Sequence, residues 1–218
     1  GAQLLRKNAR SCRIRSDPAA SGKLTMPIVD NGLIDQYAHL HRTKRYGQTS
    51  HEFALEVQIC ILDLKPRTIL EYGCGQSVLE QSLDLDGAIW VRYDPAIPEL
   101  STIPIERADL IVNTDVLEHI PEQDIGDVLE HMRSLGDKVF FNIATRTARE
   151  TLPDGSNAHC TIWDADRWRE QIARFFPCVM PVYVRPGHSC LFVTWRSSAS
   201  GVLARIQQLK LEHAASTL

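Results

Sequence analysis

No stretch of the chain approaches the 18 consecutive apolar residues of a membrane-spanning helix, and no apolar run follows the basic residues near its start. Neither a membrane span nor a secretory signal is therefore indicated, and a cytoplasmic location is expected. Paired cysteines are lacking too: Cys12, Cys60, Cys74, Cys160, Cys178 and Cys190 are scattered with no C-x-x-C among them. That argues against a zinc ribbon or a disulfide framework and for reduced, mostly buried thiols. His39, His41 and His51 have no carboxylate or cysteine beside them at a recognised ligand spacing, so no metal is expected. Internal repeats and a second domain are absent as well.

What is present is an average globular composition, 44% apolar and 23% charged over 218 residues, enough for one sizeable core. The net charge of -3 hides an asymmetry: Arg6, Lys7, Arg10, Arg13, Arg15 and Lys23 face only Asp17 in the first 25 residues, a balance of +5 that leaves -8 for the rest. This leader, rich in Ser, Ala and Gly, is expected to be poorly ordered, and Met26 reads as a candidate natural start. Nucleic acid could be drawn to the leader, but the acidic remainder does not favour a polyanion as partner.

Apolar runs at 68–73, 88–94, 109–115 and 138–144 are nearly continuous rather than alternating, which predicts strands buried on both faces in a parallel sheet. Helices are predicted over 77–84, 121–135 and 164–176, and another over roughly 53–64, with Thr49 and Glu52 at capping-box spacing and Pro66 ending it. Runs at 179–184 and 190–195 are joined by Arg185-Pro186-Gly187-His188, a loop short enough only for an antiparallel hairpin. Residues 201–213 carry Val202, Leu203, Ile206 and Leu209 at helical spacing. The fold class is α/β: a mostly parallel sheet with an antiparallel C-terminal hairpin and helices on both faces.

The segment ILEYGCGQSVLE, residues 69–80, ends a strand at Tyr72 and follows it with Gly73 and Gly75. Bare backbone at the carboxyl edge of such a sheet is where open α/β folds bind ligands. A dinucleotide fingerprint wants a third glycine where Val78 stands, and Glu71 would repel a pyrophosphate. A cofactor bearing positive charge suits that carboxylate. Asp94, some 20 residues on, is placed to hold a ribose diol.

Three segments in this order, LEYGCGQS, VRYDPA and ADLIVNTDVLEHIPE, resemble the class I S-adenosylmethionine-dependent methyltransferases over roughly residues 43–197. The resemblance implies the Rossmann-like fold of that family, S-adenosyl-L-methionine as cofactor, and an antiparallel last strand. It would set Glu71, Gly73, Cys74 and Gly75 along the methionine half of the cofactor and Asp94 on the ribose. Pro95 would lie by the base, Asp115, Val116 and Leu117 along the cofactor, and Tyr46 over it as part of an N-terminal lid. Ser77 replaces the family's third glycine, and the family's third strand is hard to find in IPELSTIPIERADL. The implied division is a leader over 1–27, the methyltransferase domain over 28–200, and a C-terminal helix and tail over 201–218.

The acceptor side is expected in NIATRTARETLPDGSNAHCTIW, residues 142–163, too long and polar for a plain connection. Its LPDG-x-NAH string resembles one in uncharacterised bacterial and phage methyltransferases. His159 is the first candidate proton acceptor and His119 the second. Arg146, Asn157 and His159 are the candidate substrate contacts, since an Arg fork suits an acidic acceptor. The fourth-strand segment reads NTDV rather than an N/D-P-P-Y/F string, and there is no Pro-Cys nucleophile, so base methylation is disfavoured and a small molecule or sugar is the favoured acceptor. The alternatives are a cofactor-binding scaffold or regulatory subunit without turnover, a nucleic-acid or protein methyltransferase, and a nicotinamide oxidoreductase, which Val78 and Glu71 argue against.

Overall fold

A computed structural model describes residues 29–216; the leader expected over residues 1–27 lies outside them. Six strands form one sheet in the order β2-β1-β3-β4-β6-β5. These are β1 (Thr68–Tyr72), β2 (Ile89–Tyr93), β3 (Leu110–Thr114), β4 (Val139–Ala144), β5 (Met180–Arg185) and β6 (Ser189–Val193). The four strands β2, β1, β3 and β4 run parallel. The C-terminal hairpin enters with β6 antiparallel to β4, leaving β5 at the edge. Both the parallel centre and the antiparallel end follow the sequence pattern.

Alternation along the strands assigns the two cores. Leu70, Tyr72, Ile111 and Phe141 turn to α3 (Ile125–Leu135) and α4 (Ala165–Ala173), where Met132, Trp168 and Ile172 are fully buried. Ile69, Leu110, Val112 and Phe140 turn to the opposite face, against Val57 and Ile61 of α2 (Ala54–Leu64) and Leu203 of α5 (Ser200–Ser216). Each such large apolar side chain contributes about 1.5–3 kcal/mol by leaving water. The C-terminal helix is docked on the domain: buried Glu56 of α2 accepts from Gln207 and, at 2.7 Å, from Lys210 Nζ.

Four local expectations are corrected. The helix predicted over 77–84 is a single 3₁₀ turn, Leu79–Ser82. Leu79 alone is fully buried there, and Gln58 of α2 bonds both Asp84 N–H and C=O, which ends the turn before a helical stripe can build. The Thr49/Glu52 capping box does not form, because the Thr49 hydroxyl donates to Asp115 Oδ2 at 2.5 Å instead; a 3₁₀ turn, Thr49–Phe53, leads into α2. Residues 121–124 make a turn, and α3 starts only at Ile125. A helix not predicted, α1 (Asn31–Thr43), opens the described chain, with the Asp30 carboxylate capping Gly32 N–H at 3.0 Å.

The missing third strand is a real feature. Between β2 and β3 the chain forms only a 3₁₀ turn, Pro98–Leu100, so β2 is the edge of the sheet.

Candidate active site

From β1 the chain goes to β2 on one side and β3 lies on the other, so the strand order reverses at β1 and opens a crevice at the carboxyl edge. A cleft of about 620 Å³ occupies it, lined by Tyr72, Gly73, Tyr93, Pro95, Val116 and Ile120, with the start of α1 as its outer wall. That volume lies within the ~300–1,000 Å³ range of small-ligand sites.

Backbone conformation explains the two glycines. Gly73 has φ +74°, and a Cβ there would meet Val116 Cγ2 at 2.6 Å. Gly75 has φ +50° and lies against Gly47 in the link between α1 and α2, which a Cβ would crowd at 3.1–3.2 Å. L-residues reach this left-handed region only with strain, so glycine here serves both the turn and the close packing. The N–H groups of Gly73 and Cys74 both bond Tyr93 C=O at the end of β2, at 2.8 and 3.0 Å.

Asp94 is buried at 7% exposure, and its oxygens accept from Gly75 N–H at 2.8 Å and Ala96 N–H at 2.9 Å. It is a strut beneath the glycine turn, facing the same edge where a ribose diol would arrive. Arg92 holds the turn from the other side through Gly75 C=O at 3.0 Å.

Of the remaining residues expected along a cofactor, Pro95 and Val116 line the cleft together with Gly73. Glu71 does not: strand alternation turns it to the α2 face, 2% exposed, where Trp90 Nε1 donates to it at 3.2 Å and Arg92 Nε lies 3.9 Å away. Burial pushes its carboxyl up, while the Ser77 hydroxyl, Arg92 and Trp90 pull it down. Cys74 is buried with its thiol pushed up to about 12 by desolvation, and Leu117 is a core residue at 0% exposure.

The other half of the edge is built from titratable side chains. Asp115 sits just past β3 at φ +54°, in the left-handed region that Asp tolerates better than most residues. Asn142 Nδ2 and the Thr49 hydroxyl hold its two oxygens at 2.6 and 2.5 Å. Burial raises its carboxyl against those bonds and against nearby His159. Glu118 is fully buried; Oε1 accepts Ala144 N–H at 2.8 Å and Oε2 has no hydrogen-bond partner. Desolvation, then the charge of Asp115, pushes its carboxyl well above the usual range.

His119 and His159 come together because residues 158–161 pair with 118–120. Thr161 N–H bonds Glu118 C=O at 3.0 Å and the Thr161 hydroxyl bonds Ile120 C=O at 2.7 Å. The two imidazoles meet edge to face with centroids 4.8 Å apart. Burial, then the neighbouring His159, lowers His119 to about 4, and burial lowers His159 as well. Both are neutral at pH 7.

Two further pieces of chain meet beside this pair, the 151–157 segment and α1 with the link that follows it. Residues 151–157 form a tight hairpin, and its Asp154 exchanges two bonds with Gln36 of α1. Tyr37 donates to Ala158 C=O at 2.6 Å and reaches His119 Nδ1 at 3.1 Å. Tyr46 lies 6.1 Å from His119 and 6.4 Å from Tyr37, centroid to centroid, above the glycine turn to which Gln76 ties it. Asn157 is fully engaged with backbone: Oδ1 accepts from Ala148 and His159 N–H, and Nδ2 donates to Ala148 C=O. Arg146 is half-buried near His159, its C=O bonded to His159 Nδ1 at 2.5 Å. Tyr37, Glu118 and Thr49 are residues of this edge that the sequence pattern does not single out as site residues. For Tyr37 a signal is nevertheless there: Asp30 ahead of Leu33, Ile34, Tyr37, Leu40 and His41 at helical spacing.

No family model and no curated protein matches the chain. Solved structures do. A 1,6-didemethyltoxoflavin-N1-methyltransferase from Burkholderia thailandensis, with its substrate and S-adenosylhomocysteine bound, superposes with TM-score 0.53 at 13% identity, over 78% of this chain and 90% of that one. The DhpI–SAH complex superposes with TM-score 0.53 at 16% identity, over 74% of this chain and 96% of that one. The PH0226 protein of Pyrococcus horikoshii superposes with TM-score 0.51 at 12% identity, over 71% and 97%. The fold is therefore the Rossmann-like fold of class I methyltransferases, here without the third strand.

Proposed function

We propose that this protein is an S-adenosylmethionine-dependent methyltransferase acting on an oxygen or nitrogen of a small molecule. The observation that carries the reading is the crevice at the strand-order reversal, walled by Gly73, Pro95 and Val116 and floored by a glycine turn that Asp94 braces. No α-helix starts after the glycines, so the turn lacks the helix N-terminus that a dinucleotide pyrophosphate uses. A sulfonium cofactor needs no such dipole. The 1,6-didemethyltoxoflavin-N1-methyltransferase of the same fold, with 1,6-didemethyltoxoflavin and S-adenosylhomocysteine bound, supports the acceptor class.

In this reading Asp94 receives the ribose hydroxyls, Pro95 flanks the base, and Tyr46 covers the methionine end. Asp115, held by Asn142 and Thr49, offers a carboxylate to a cationic group there. His119 and His159 are the proposed catalytic pair on the acceptor side. In the transfer, an acceptor lone pair attacks the methyl carbon in line, the carbon–sulfur bond breaks, and a neutral thioether leaves. The protein's task is alignment and the fate of one proton. Arg146 is the proposed contact for an acidic group of the acceptor, while Asn157 shapes the loop that carries His159.

Calorimetric titration with S-adenosylmethionine, S-adenosylhomocysteine and NAD tests this directly. Micromolar binding of the adenosyl pair without NAD is the expected result. Binding of NAD alone would overturn the cofactor assignment; binding of the adenosyl pair with no turnover across an acceptor screen would favour a cofactor-binding scaffold.

A further inference from the structure

We propose that Glu118, His119 and His159 form a site for one divalent transition-metal ion. One carboxylate oxygen and two imidazole nitrogens of these residues all lie within 4.8 Å of one another. Metal–ligand distances for such atoms are about 2.0–2.2 Å, so three ligands around one ion stand roughly 3–3.6 Å apart. Side-chain adjustments of under about an ångström close the set.

The hydrogen bonds around the triad already have the form that metal sites require. A ligating imidazole donates its second N–H to a fixed acceptor, which sets the tautomer and aims the ring. His119 Nδ1 faces Ala158 C=O at 2.7 Å and His159 Nδ1 faces Arg146 C=O at 2.5 Å. A carbonyl can only accept, so both Nδ1 atoms carry the proton and both Nε2 atoms present a lone pair. Glu118 supplies the independent observation. Its side chain is fully buried, one oxygen is fixed by Ala144 N–H, and Oε2 is left without a partner. A buried carboxyl oxygen with no hydrogen-bond partner is costly, and a group so placed either keeps its proton or is completed by a cation.

Two imidazoles and one carboxylate suit Mn²⁺, Co²⁺, Ni²⁺ or Zn²⁺ better than Mg²⁺ or Ca²⁺, which prefer all-oxygen sets. Three protein ligands leave positions open for water or for an acceptor oxygen. The cation site stands on this geometry alone; its part in methyl transfer rests on the reading proposed above. In that part, an acceptor hydroxyl bound to the ion releases its proton to solvent, its oxygen forms the new bond to the methyl carbon, and the carbon–sulfur bond breaks.

The test is titration of the chelator-treated full chain with Co²⁺ and with Zn²⁺, following heat and the Co²⁺ visible spectrum. One ion per chain at micromolar affinity or tighter is expected, with His159→Ala and His119→Ala each weakening it at least about tenfold. Glu118→Gln, which still accepts the Ala144 N–H, should weaken it similarly, and Cys160→Ser should leave it unchanged. If His119→Ala does not fold, the His159 variant, altered in a loop, decides. No binding, or binding that survives both histidine substitutions, overturns the proposal. S-adenosylhomocysteine is titrated in parallel: its binding without metal binding overturns only the cation site, and metal binding without it overturns only the methyltransferase reading.

Discussion

The two halves of the sheet's carboxyl edge are built by different means. At β1 and β2 the site is made of backbone: two left-handed glycines, two N–H groups on one Tyr93 carbonyl, and a buried carboxylate that accepts one main-chain N–H on each oxygen and keeps acceptor capacity for a ligand. Around the ends of β3 and β4 it is made of titratable side chains, Glu118 fully buried and Asp115, His119 and His159 partly so. A backbone cradle fixes shape and tolerates no added volume. A cluster of buried ionisable groups fixes protonation and is sensitive to pH and to cations. The first suits an invariant ligand, the second a reacting one.

The largest break in this contrast should come from Gly73→Ala, which adds a Cβ within 2.6 Å of Val116 Cγ2 at φ +74°. S-adenosylhomocysteine affinity should fall by roughly 100-fold, the strain of the left-handed region and the overlap adding. The double variant with Val116→Ala should regain only the overlap part, which calorimetry would read. Asp94→Ala comes next, with about 1–3 kcal/mol lost from binding and melting temperature lowered, since two N–H groups lose their acceptor. Unchanged affinity would remove the ribose from Asp94.

On the other half, His159→Ala should leave S-adenosylhomocysteine affinity within about twofold while abolishing turnover once an acceptor is known. Full turnover would take His159 out of the chemistry. Stability should also respond to pH there. His119 titrates at about 4 in the folded chain and at about 6.5 when unfolded, so between those values the unfolded chain holds the extra proton. Its contribution to stability is intact above pH ~6.5 and is lost as pH falls toward 4; lowered His41, His131 and His159 act with the same sign. Thermal melts of His119→Gln between pH 7 and 5 should fall less steeply than those of the parent. The smallest effect belongs to the exposed surface. Lys44→Ala removes an exposed ion pair to Glu150, and its cost should stay below about 1 kcal/mol.

How well each half could be read from sequence follows from what builds it. Gly73, Gly75 and Asp94 are legible because a backbone need forces a residue type close in the chain to a strand end. The turn after them has helix-like spacing, but Leu79 anchors one turn only and Gln58, distant in sequence, ends it. Thr49 stands at cap spacing from Glu52, whereas its hydroxyl is taken by Asp115, 66 residues away. Alternation along β1 places Glu71 on the α2 face, with Trp90 and Arg92 as neighbours, a position that its spacing from the glycines does not record.

By itself the sequence determined the α/β order, the parallel strands and the closing hairpin, because continuous apolar runs and turn residues are local consequences of burial and backbone conformation. It also marked the glycine turn and its acid. Only the tertiary structure decided that α1 and the 151–157 hairpin meet through Gln36 and Asp154, and that Glu118, His119 and His159 converge from segments 40 residues apart. The triad depends on two loops that leave the neighbouring strands β3 and β4 at the same edge, and the Gln36–Asp154 contact on where α1 packs; no spacing along the chain records which elements are neighbours.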